Sequence, residues 1–439
     1  MQRRYRLGPG DTVLQKTPPS FDDVAREIFW PLATGARLAV LPPGLHRDPR
    51  AIIDAAAEHG VVWLQFVPSM LDMFLAEVGP GQARRLHRLR DVVSDGDRLR
   101  PRTVRLFFDR LGETCRLNNH WGTTEVSIDS THHVCTRDDG DDNGRDAVAL
   151  GTAMESHSVH VLGPDMEPAP FGAVGDLYLG GAGLARGYLG EPGRTARVFV
   201  PHPWRHGERL YRTGDIGRMR PDRSVEYQGR RDHQVKIRGI RIEPGEVEVA
   251  VRAFPGVTDA IVTSWEPVPG DCRLVAYAEY RDTDDQTTRS RLRDFLSGRL
   301  APAAVPSAII LLPRLPRLPS GKADRRSLPR PDPEELSDEP FVPPATDAEV
   351  AVARIWSAVL GVSRVGATDD FFALGGHSLL VMRAVNWMRD AFAVDISVRL
   401  VFEHPTVRAA AAQIGELILA EIESMSDAEA EGLASAEGA

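Results

Sequence analysis

The sequence has little lysine, little cysteine and no long apolar run. The last two shortages each exclude a class of protein. Its three cysteines, Cys115, Cys135 and Cys272, are far apart, so neither a disulfide framework nor a zinc knuckle is predicted. No uncharged apolar run approaches the roughly 18 residues that a membrane span needs, and no apolar stretch follows the N-terminus as in a signal peptide. A cytoplasmic protein without a membrane segment is therefore expected.

The charge balance argues against nucleic acid as a partner. The 439 residues include 62 acidic and 53 basic side chains, which gives a net charge of −9. The length fits two to four domains, and 42% hydrophobic content fits a folded chain. His132 and His133 lie near Cys135 and offer metal ligands, although an ordinary loop is the simpler interpretation.

Only three of the basic residues are lysines, and these are Lys16, Lys236 and Lys322. Because the chain uses arginine for nearly every solvated positive charge, a lysine that persists suggests a need for a compact ammonium group. Lys236 and Lys322 lie beside glycine in Val-Lys-Ile-Arg-Gly and Ser-Gly-Lys-Ala-Asp, and both are candidate functional residues. Chance survival is the alternative for all three, and it applies most to Lys16.

The first 125 residues alternate apolar bursts with amphipathic segments, which predicts a parallel sheet covered by helices. The predicted strands cover 35–41, 61–67 and 89–94, and the predicted helices cover 49–59, 69–77 and 100–111. Polar clusters at 20–23, 93–96 and 118–125 follow predicted strands, where ligands bind in such sheets.

Of these three polar clusters, the one at 118–125 contains the widest range of functional side chains. Trp121 offers a face for stacking on a base, while Thr123, Thr124 and Glu125 suit phosphate oxygens and a magnesium ion. A helix start capped by Thr123 or Thr124 is an equally good interpretation.

Beyond residue 130 the pattern changes to short strands of period two. Asp215 follows a glycine at a strand end, where it would accept from a ribose diol or act as an ordinary turn residue. The glycine-bounded segment 229–246 is interpreted as a joint, followed by a compact α/β segment. Six prolines then predict an extended linker over 329–344.

The last hundred residues have the pattern of a small helical bundle. Thr346 and Glu349 fit a capping box, and apolar residues recur at helical spacing from Val352 until Gly361. A second helix is expected to start near Ser378, and a last one covers about 407–425 before an acidic end.

The order and spacing of these motifs resemble the adenylation domain of nonribosomal peptide synthetases followed by a peptidyl carrier domain. The resemblance rests on the segments Phe21–Glu27, Asn119–Glu125, Gly175–Leu189, Tyr211–Asp215, Gly229–Glu246, Pro319–Arg325 and Asp370–Leu379. It implies a partial acyl-adenylate-forming α/β body with a small β region, an α+β C-terminal subdomain and an all-α four-helix carrier bundle. The implied boundaries are 1–130 for a truncated large subdomain, 131–231 for its β-rich part, 232–328 for the C-terminal subdomain, 329–344 for the linker, 345–420 for the carrier domain and 421–439 for an acidic tail.

The resemblance also implies a reaction, in which an amino acid and Mg·ATP form an aminoacyl adenylate whose aminoacyl group passes to a phosphopantetheine thiol. Lys322 then bridges the carboxylate and the α-phosphate, and Lys236 and Gly239 lie on the loop presented for thiolation. The other implied roles are adenine stacking by Trp121 in place of the usual tyrosine, nucleotide contacts by Thr124, ribose binding by Asp215 and Arg230, magnesium binding by Glu125 and a hinge at Asp232.

By the same resemblance, Asp22 pairs with the α-ammonium of the substrate. The implied side-chain pocket draws on Asp23, Arg26, Gln65, Val93, Asp95, His120, Ile128 and Asp129. Buried carboxylates around an apolar group would be costly, so a polar or cationic substrate is expected. Arg26 and Asp95 depart from the apolar and small residues usual at their positions.

Ser378 is the implied attachment site of phosphopantetheine, following the Gly375-Gly-His turn, and a plain helix cap is the alternative. The implied partners are an amino acid, a phosphopantetheinyl transferase and neighbouring condensation or thioesterase domains. The family's glycine- and serine-rich phosphate loop does not occur before Phe21. We therefore expect either a fragment or truncated product, or a protein whose missing portion comes from another, upstream chain. In both cases this chain is not expected to adenylate alone.

Two alternatives to that activity remain open from the sequence. One is a carrier module whose Ser378 arm is loaded in trans by a separate adenylating enzyme. The other is a ligase for a non-amino carboxylic acid, against which Asp22 argues because an ammonium partner would have no purpose there.

Overall fold

The protein is described by a computed structural model that forms two compact units, Met1–Ile240 and Arg241–Ala439. The structure describes residues 1–112, 115–141, 146–232, 234–237, 239–266, 272–281, 286–318, 323–331, 341–372, 374–376, 378–397 and 399–424. Lys322 and residues 425–439 lie outside these ranges. In this part of the chain no helix is both long and apolar enough to cross a membrane.

A seven-stranded sheet forms the centre of the first unit. Its strands are β1 Thr12–Gln15, β2 Arg37–Val40, β3 Trp63–Phe66, β4 Asp91–Ser94, β5 Arg116–Trp121, β6 Thr131–Val134 and β7 Thr152–Ala153. The order is β2-β1-β3-β4-β5-β6-β7, in which β1 to β5 run parallel, β6 pairs antiparallel with β5, and β7 pairs antiparallel with β6. The strand order reverses between β1 and β3, which is the position where open α/β sheets place their ligand crevice.

Six helices of this unit precede or connect the strands. They are α1 Gln2–Tyr5, α2 Asp23–Ala33, α3 Pro49–Glu58, α4 Pro68–Glu77, α5 Pro80–Arg85 and α6 Pro101–Arg110. Four of them begin with proline, whose fixed φ and missing N–H suit the first helical turn. Fully buried Phe66, Phe74 and Phe107 belong to the main hydrophobic core. The strands and helices predicted over 35–111 are confirmed to within about two residues.

A second sheet completes the first unit. It contains β8 His157–Leu162, β9 Val174–Gly181, β10 Phe199–Pro201, β11 Arg209–Met219 and β12 Val225–Arg230, together with helix α7 Pro192–Val198. The order is β10-β11-β9-β8, with β12 paired to β11. Two short strands, β13 Val235–Ile237 and β14 Ile240–Ile242, pair with each other within the predicted joint.

The second unit contains an α+β part and a helical part. The first has helices α8 Pro244–Arg252 and α9 Gln286–Ser297 and strands β15 Val257–Trp265, β16 Arg273–Tyr280 and β17 Ala308–Leu312, ordered β15-β16-β17. The second has helices α10 Asp347–Leu360, α11 Ser378–Phe392, α12 Arg399–Glu403 and α13 Val407–Ser424. Trp356 and Phe371 are fully buried in its core, with ring centroids 4.9 Å apart.

The start of α10 differs in one contact from the predicted capping box. The Thr346 hydroxyl accepts a hydrogen bond from the backbone N–H of Glu349 at 3.1 Å, as expected for an N-cap. The Glu349 carboxylate instead accepts from the backbone N–H of Ala345 at 2.6 Å and from Arg408 at 3.2 Å. Glu349 therefore also ties α10 to α13.

Thr346→Ala is expected to lower the free energy of unfolding of the helical part by about 1 kcal/mol, because one helix N–H loses its acceptor. Hydrogen exchange of the amides of α10 measures this loss, and Thr346→Ser is the matched control because serine retains the acceptor. Equal exchange rates in Thr346→Ala and the unmutated protein would contradict the capping role.

Candidate functional site

A buried arginine gathers acidic and amide groups near the carboxyl ends of the parallel strands. The guanidinium of Arg26 donates to Asp23 Oδ1 at 2.8 Å, to Asp95 Oδ2 at 2.7 Å and to Gln65 Oε1 at 2.5 and 3.1 Å. It also forms an ion pair with Asp129. We call these five residues the Arg26 cluster: Asp23, Arg26, Gln65, Asp95 and Asp129.

His120 and Tyr5 extend this network. His120 Nδ1 is 2.6 Å from Asp129 Oδ2, and its Nε2 is 2.7 Å from the hydroxyl of Tyr5. Because Nδ1 donates to the carboxylate, Nε2 accepts from Tyr5. Both rings are buried. Tyr5 was not predicted, since nothing in the sequence marks a contact with a residue 115 positions away.

Burial shifts the protonation equilibria of this network. Burial and the carboxylates of Asp23 and Asp129 raise the pKa of Asp95 well above its ordinary value, and burial raises the pKa of Asp23. Burial alone would also raise the pKa of Asp129, but the charge of Arg26 and the hydrogen bonds from His120 and Arg26 hold it below its ordinary range. Burial lowers the pKa of His120, which keeps this ring neutral.

A strained turn brings Asp129 into the cluster. Ser127 and Ile128 have φ values of 58° and 74°, a left-handed conformation that is costly for a β-branched residue such as Ile128. Gly122 packs against this turn, and a Cβ at Gly122 would lie 2.1 Å from the Ile128 carbonyl oxygen. The turn therefore requires glycine at position 122.

The remaining predicted pocket residues lie around this cluster. Val93 is fully buried in a hydrophobic group beneath it, and Ile128 is partly buried. Asp22 precedes α2 and is partly buried, and no hydrogen bond or ion pair of its carboxylate is found among the residues that the structure describes. The structure thus brings Asp23, Arg26, Gln65, Asp95, His120 and Asp129 together in one network.

His132 lies beside the Arg26 cluster and makes the stability of the first unit depend on pH. Its ring is buried, Arg4 donates to Nδ1 at 2.9 Å, and Nε2 is 3.1 Å from Asn118 Oδ1. Burial lowers the pKa of His132 to about 3 from 6.5. Because the folded-state pKa lies below the unfolded one, the stability from neutral His132 is present above pH 6.5 and is lost as the pH falls toward 3.

We therefore expect the melting temperature of the first unit to fall between pH 7 and pH 5, and to fall less in His132→Asn. Differential scanning calorimetry across this range measures the effect. His206→Asn, which replaces an exposed histidine, is the control and should retain the full decline. The same decline in His132→Asn as in the control would rule out His132 as the source.

The segment after β5 is placed partly in a core and partly at the surface. Trp121 is buried and packs with Val126 and Leu150 in the core of the second sheet. A short 3-10 helix covers Thr124–Val126, preceded by Thr123, whose hydroxyl makes no capping hydrogen bond. The Thr123 hydroxyl is also buried without a hydrogen-bond partner among the described residues, so it has an unused donor and acceptor.

Glu125 and Thr124 lie at the same turn. Tyr188 donates its hydroxyl to Glu125 Oε1 at 2.7 Å, which orients a partly buried carboxylate. Thr124 is exposed. A carboxylate held this way beside a hydroxyl with no partner offers the hard oxygen ligands that suit a magnesium ion and phosphate oxygens.

Arg230 links the residues predicted to bind ribose and to form the hinge. Asp215 and Arg230 face each other across β11 and β12, and Arg230 Nη1 donates to Asp215 Oδ1 at 2.6 Å. The Asp232 carboxylate accepts from Arg230 Nε at 2.7 Å and from Nη2 at 2.8 Å. Gln234 Oε1 accepts from the same nitrogen at 2.5 Å. The Arg230 guanidinium therefore binds both Asp215, which is predicted to contact ribose, and Asp232, the predicted hinge residue.

The predicted thiolation loop packs near the end of β3. Gly239 has φ 78°, and a Cβ there would lie 2.7 Å from Val67 Cγ1, so the approach is closer than a side chain permits. Lys236 is partly buried in β13. Lys322, the other lysine predicted to act in the reaction, lies outside the described residues.

The predicted attachment serine stands at a helix start. Helix α11 begins at Ser378, after a turn in which Gly375 has φ 86°. A Cβ on Gly376 would lie 2.2 Å from Phe371 Cδ1, so this position accepts only glycine. The two glycines therefore fix the turn that leads to Ser378.

His133, Cys135 and Asp139 lie together, with potential ligand atoms within 4.8 Å of one another. Asp139 Oδ2 already accepts from His133 at 3.0 Å and from the Thr136 N–H at 2.8 Å. Burial raises the pKa of the Cys135 thiol well above its ordinary value, which opposes the thiolate that a metal needs. These contacts fit a capped turn better than a metal site.

Three segments of the chain match models of known protein families. Residues 1–189 match the family described as AMP-binding enzyme, residues 246–322 match the AMP-binding enzyme C-terminal domain, and residues 350–414 match the phosphopantetheine attachment site family. The phosphinothricin tripeptide synthetase PhsB of Streptomyces viridochromogenes is 40% identical over 99% of this chain and 37% of its own length. Tyrocidine synthase 3 of Brevibacillus parabrevis is 36% identical over 92% of this chain and 6% of its own length.

Solved structures of adenylation proteins superpose on this chain, with or without a carrier domain. Holo-PA1221, a nonribosomal peptide synthetase protein containing adenylation and carrier domains, superposes with a TM-score of 0.75 and 26% identity, over 93% of this chain and 66% of that chain. The Vibrio cholerae adenylation domain AlmE, in complex with glycyl-adenosine-5′-phosphate, superposes with a TM-score of 0.63 and 28% identity, over 74% and 59% of the two chains. The chain thus spans about a third of the phosphinothricin relative and about two thirds of the two-domain protein.

The domain matches and the relatives together confirm the resemblance drawn from the motifs. The chain is an AMP-binding adenylation region followed by a phosphopantetheine-attachment carrier domain, which is the domain combination of the nonribosomal peptide synthetases that it resembles.

Proposed function

We propose that the chain takes part in nonribosomal peptide synthesis by activating an amino acid with ATP and passing the aminoacyl group to a phosphopantetheine thiol on its own carrier domain. The observation that carries this proposal is the network of Asp23, Arg26, Gln65, Asp95, His120 and Asp129 near the ends of the parallel strands. These side chains come from α2, β3, β5, the loop after β4 and the turn after β5, and Asp23 directly follows Asp22 in the chain.

Asp22 would receive the α-ammonium of the amino acid, because its carboxylate has no cationic partner among the described residues. The carboxylate of the substrate would then attack the α-phosphorus of ATP, forming the acyl-phosphate bond as pyrophosphate leaves. Lys322 would contact both reactants and stabilise the charge that develops between them. Asp215 would accept hydrogen bonds from the ribose hydroxyls, with Arg230 fixing its orientation.

The nucleotide phosphates would be held at the turn after β5. The hydroxyl of Thr123, which has no hydrogen-bond partner among the described residues, and the neighbouring Thr124 would contact phosphate oxygens, and Trp121 would contact the adenine. Glu125 would hold magnesium, which supplies the positive charge that neutralises the phosphates. Rotation about Asp232 would then bring Lys236 and Gly239 to the site for the second half-reaction, while Ser378 carries the arm that supplies the thiol.

The test is loading of the carrier domain in the protein expressed with any residues that its gene encodes on either side. After treatment with coenzyme A and a phosphopantetheinyl transferase, the protein receives ATP, magnesium and single amino acids, and the peptide containing Ser378 is weighed. We expect an ATP-dependent mass gain of one aminoacyl group. Loading only after addition of a separate adenylating enzyme would instead establish a carrier module supplied in trans.

This role also implies partners. A phosphopantetheinyl transferase would modify Ser378, and neighbouring condensation or thioesterase domains would receive the aminoacyl group. The cytoplasm, where ATP and coenzyme A are available, is the proposed location.

A further inference from the structure

The Arg26 cluster has more hydrogen-bond acceptors than donors at its most crowded point. Nη2 of Arg26 lies 2.8 Å from Asp23 Oδ1, 2.5 Å from Gln65 Oε1 and 2.7 Å from Asp95 Oδ2. A terminal guanidinium nitrogen carries only two hydrogens, so three acceptors compete for them. Because Nε of Arg26 also donates to Gln65 Oε1 at 3.1 Å, the two Nη2 hydrogens can serve Asp23 and Asp95, and neither nitrogen keeps a hydrogen for a further acceptor.

The cluster is also short of positive charge. Asp23, Asp95 and Asp129 bring three carboxylates, and Arg26 is the single cation that pairs with them among the residues that the structure describes. His120 adds none while its ring is neutral. With all three carboxylates ionised the cluster carries +1 − 3 = −2 charges. Such an excess inside a buried site is costly, so one carboxylate holds a proton, as the raised pKa of Asp95 indicates, or the site takes up a further cation.

Asp23 is the member of the cluster that a ligand would reach first. Its side chain is 16% exposed, against 3% for Asp95 and 5% for Asp129. It also directly follows Asp22, the residue proposed to hold the α-ammonium. A side chain that extends from an amino acid held at Asp22 would therefore meet Asp23 before the deeper carboxylates.

We infer that this pocket selects an amino acid whose side chain ends in a positively charged nitrogen, with Asp23 as its first contact and Asp95 behind it. The inference rests on the proposed function, since it places the substrate at Asp22. A terminal ammonium brings three N–H donors for the remaining lone pairs of the carboxylates and one positive charge that offsets their excess of negative charge. An acidic side chain would meet net negative charge, and an apolar one would leave the surplus acceptors unpaired.

Two non-reactive adenylate analogues that differ in one terminal group test this inference. Ornithyl- and norleucyl-sulfamoyl adenosine have side chains of equal length that end in an ammonium and a methyl group, respectively. Calorimetric titration of the whole protein is expected to show binding of the ornithyl analogue about 10- to 100-fold tighter, as for a hydrogen bond between charged groups. The glycyl analogue is the third ligand and should also bind more weakly than the ornithyl analogue.

Variants locate the origin of the preference. Asp23→Asn is expected to remove most of the ornithyl preference, whereas Asp72→Asn should keep it, because Asp72 pairs with Arg102 and Thr103 outside the cluster. Asp95→Asn provides a second variant if Asp23→Asn fails to fold. The comparison of ligands on the unmutated protein does not depend on either variant.

The outcomes separate the inference from the proposed function. Equal or tighter binding of the norleucyl or glycyl analogue would overturn the preference for a cation while leaving the amino-acid site intact. Failure of all three analogues to bind would overturn the proposed site itself, and the inference with it.

Discussion

Replacing Ser378 with alanine is expected to abolish attachment of a phosphopantetheine arm. The attachment needs a nucleophilic hydroxyl at the start of α11, and alanine has none. The preceding turn is fixed by Gly375, with its left-handed φ of 86°, and by Gly376, which leaves no room for a side chain against Phe371. The protein is incubated with coenzyme A and a phosphopantetheinyl transferase, and its intact mass is measured.

The control for this experiment is Ser357→Ala, which changes a serine within α10 of the same helical part. It should gain one arm, as the unmutated protein does, while Ser378→Ala gains none. Gly376→Ala keeps the serine but disturbs the turn, so its modification should be slower. A Ser378→Ala protein that still gains the arm would refute the assignment of this residue.

Replacing Arg26 with methionine is expected to cost the first unit about 3–5 kcal/mol of unfolding free energy. Methionine is similar in length but removes the charge that pairs with Asp23, Asp95 and Asp129. These buried carboxylates would then repel one another without a cation. The loss should be smaller at acidic pH, because protonation of the carboxylates relieves the repulsion.

Hydrogen exchange of the amides of β3 and β5 measures this loss, because both strands lie next to the cluster. The matched control is Arg102→Met, which breaks a surface ion pair with Asp72 and should cost about 1 kcal/mol or less. A loss in Arg26→Met no larger than in this control would show that the cluster does not depend on its arginine.

Local sequence patterns predicted much of the fold. Alternation of apolar bursts and amphipathic segments identified β2, β3 and β4 and the helices between them, because hydrophobic period and proline at helix starts act over a few residues. Three of the bundle helices, α10, α11 and α13, were predicted for the same reason, whereas the short helix α12 was not. The pattern did not identify α2, where two aspartates at the start and Pro31 near the end obscure the helical signal.

The chemistry of the pocket was harder to predict. The motifs indicated which residues line the pocket. They did not indicate that Arg26 forms ion pairs with the pocket carboxylates of Asp95 and Asp129, which are 69 and 103 residues away in the sequence. The polar side chains that line the pocket therefore pair with one another, in addition to any contacts that they would make with a substrate. Tyr5 illustrates the same limit, since its bond to His120 follows from the folded sheet and from no local pattern.

The most direct test of the account is exchange of pyrophosphate into ATP, measured with a panel of amino acids on the protein expressed with any flanking residues that its gene encodes. We predict exchange with at least one amino acid, and a roughly 10- to 100-fold loss in Asp22→Asn, which removes the charged partner of the α-ammonium. Asp54→Asn, at an exposed ion pair with Arg85, should change nothing. No exchange with any amino acid, or equal exchange in Asp22→Asn, would contradict the account.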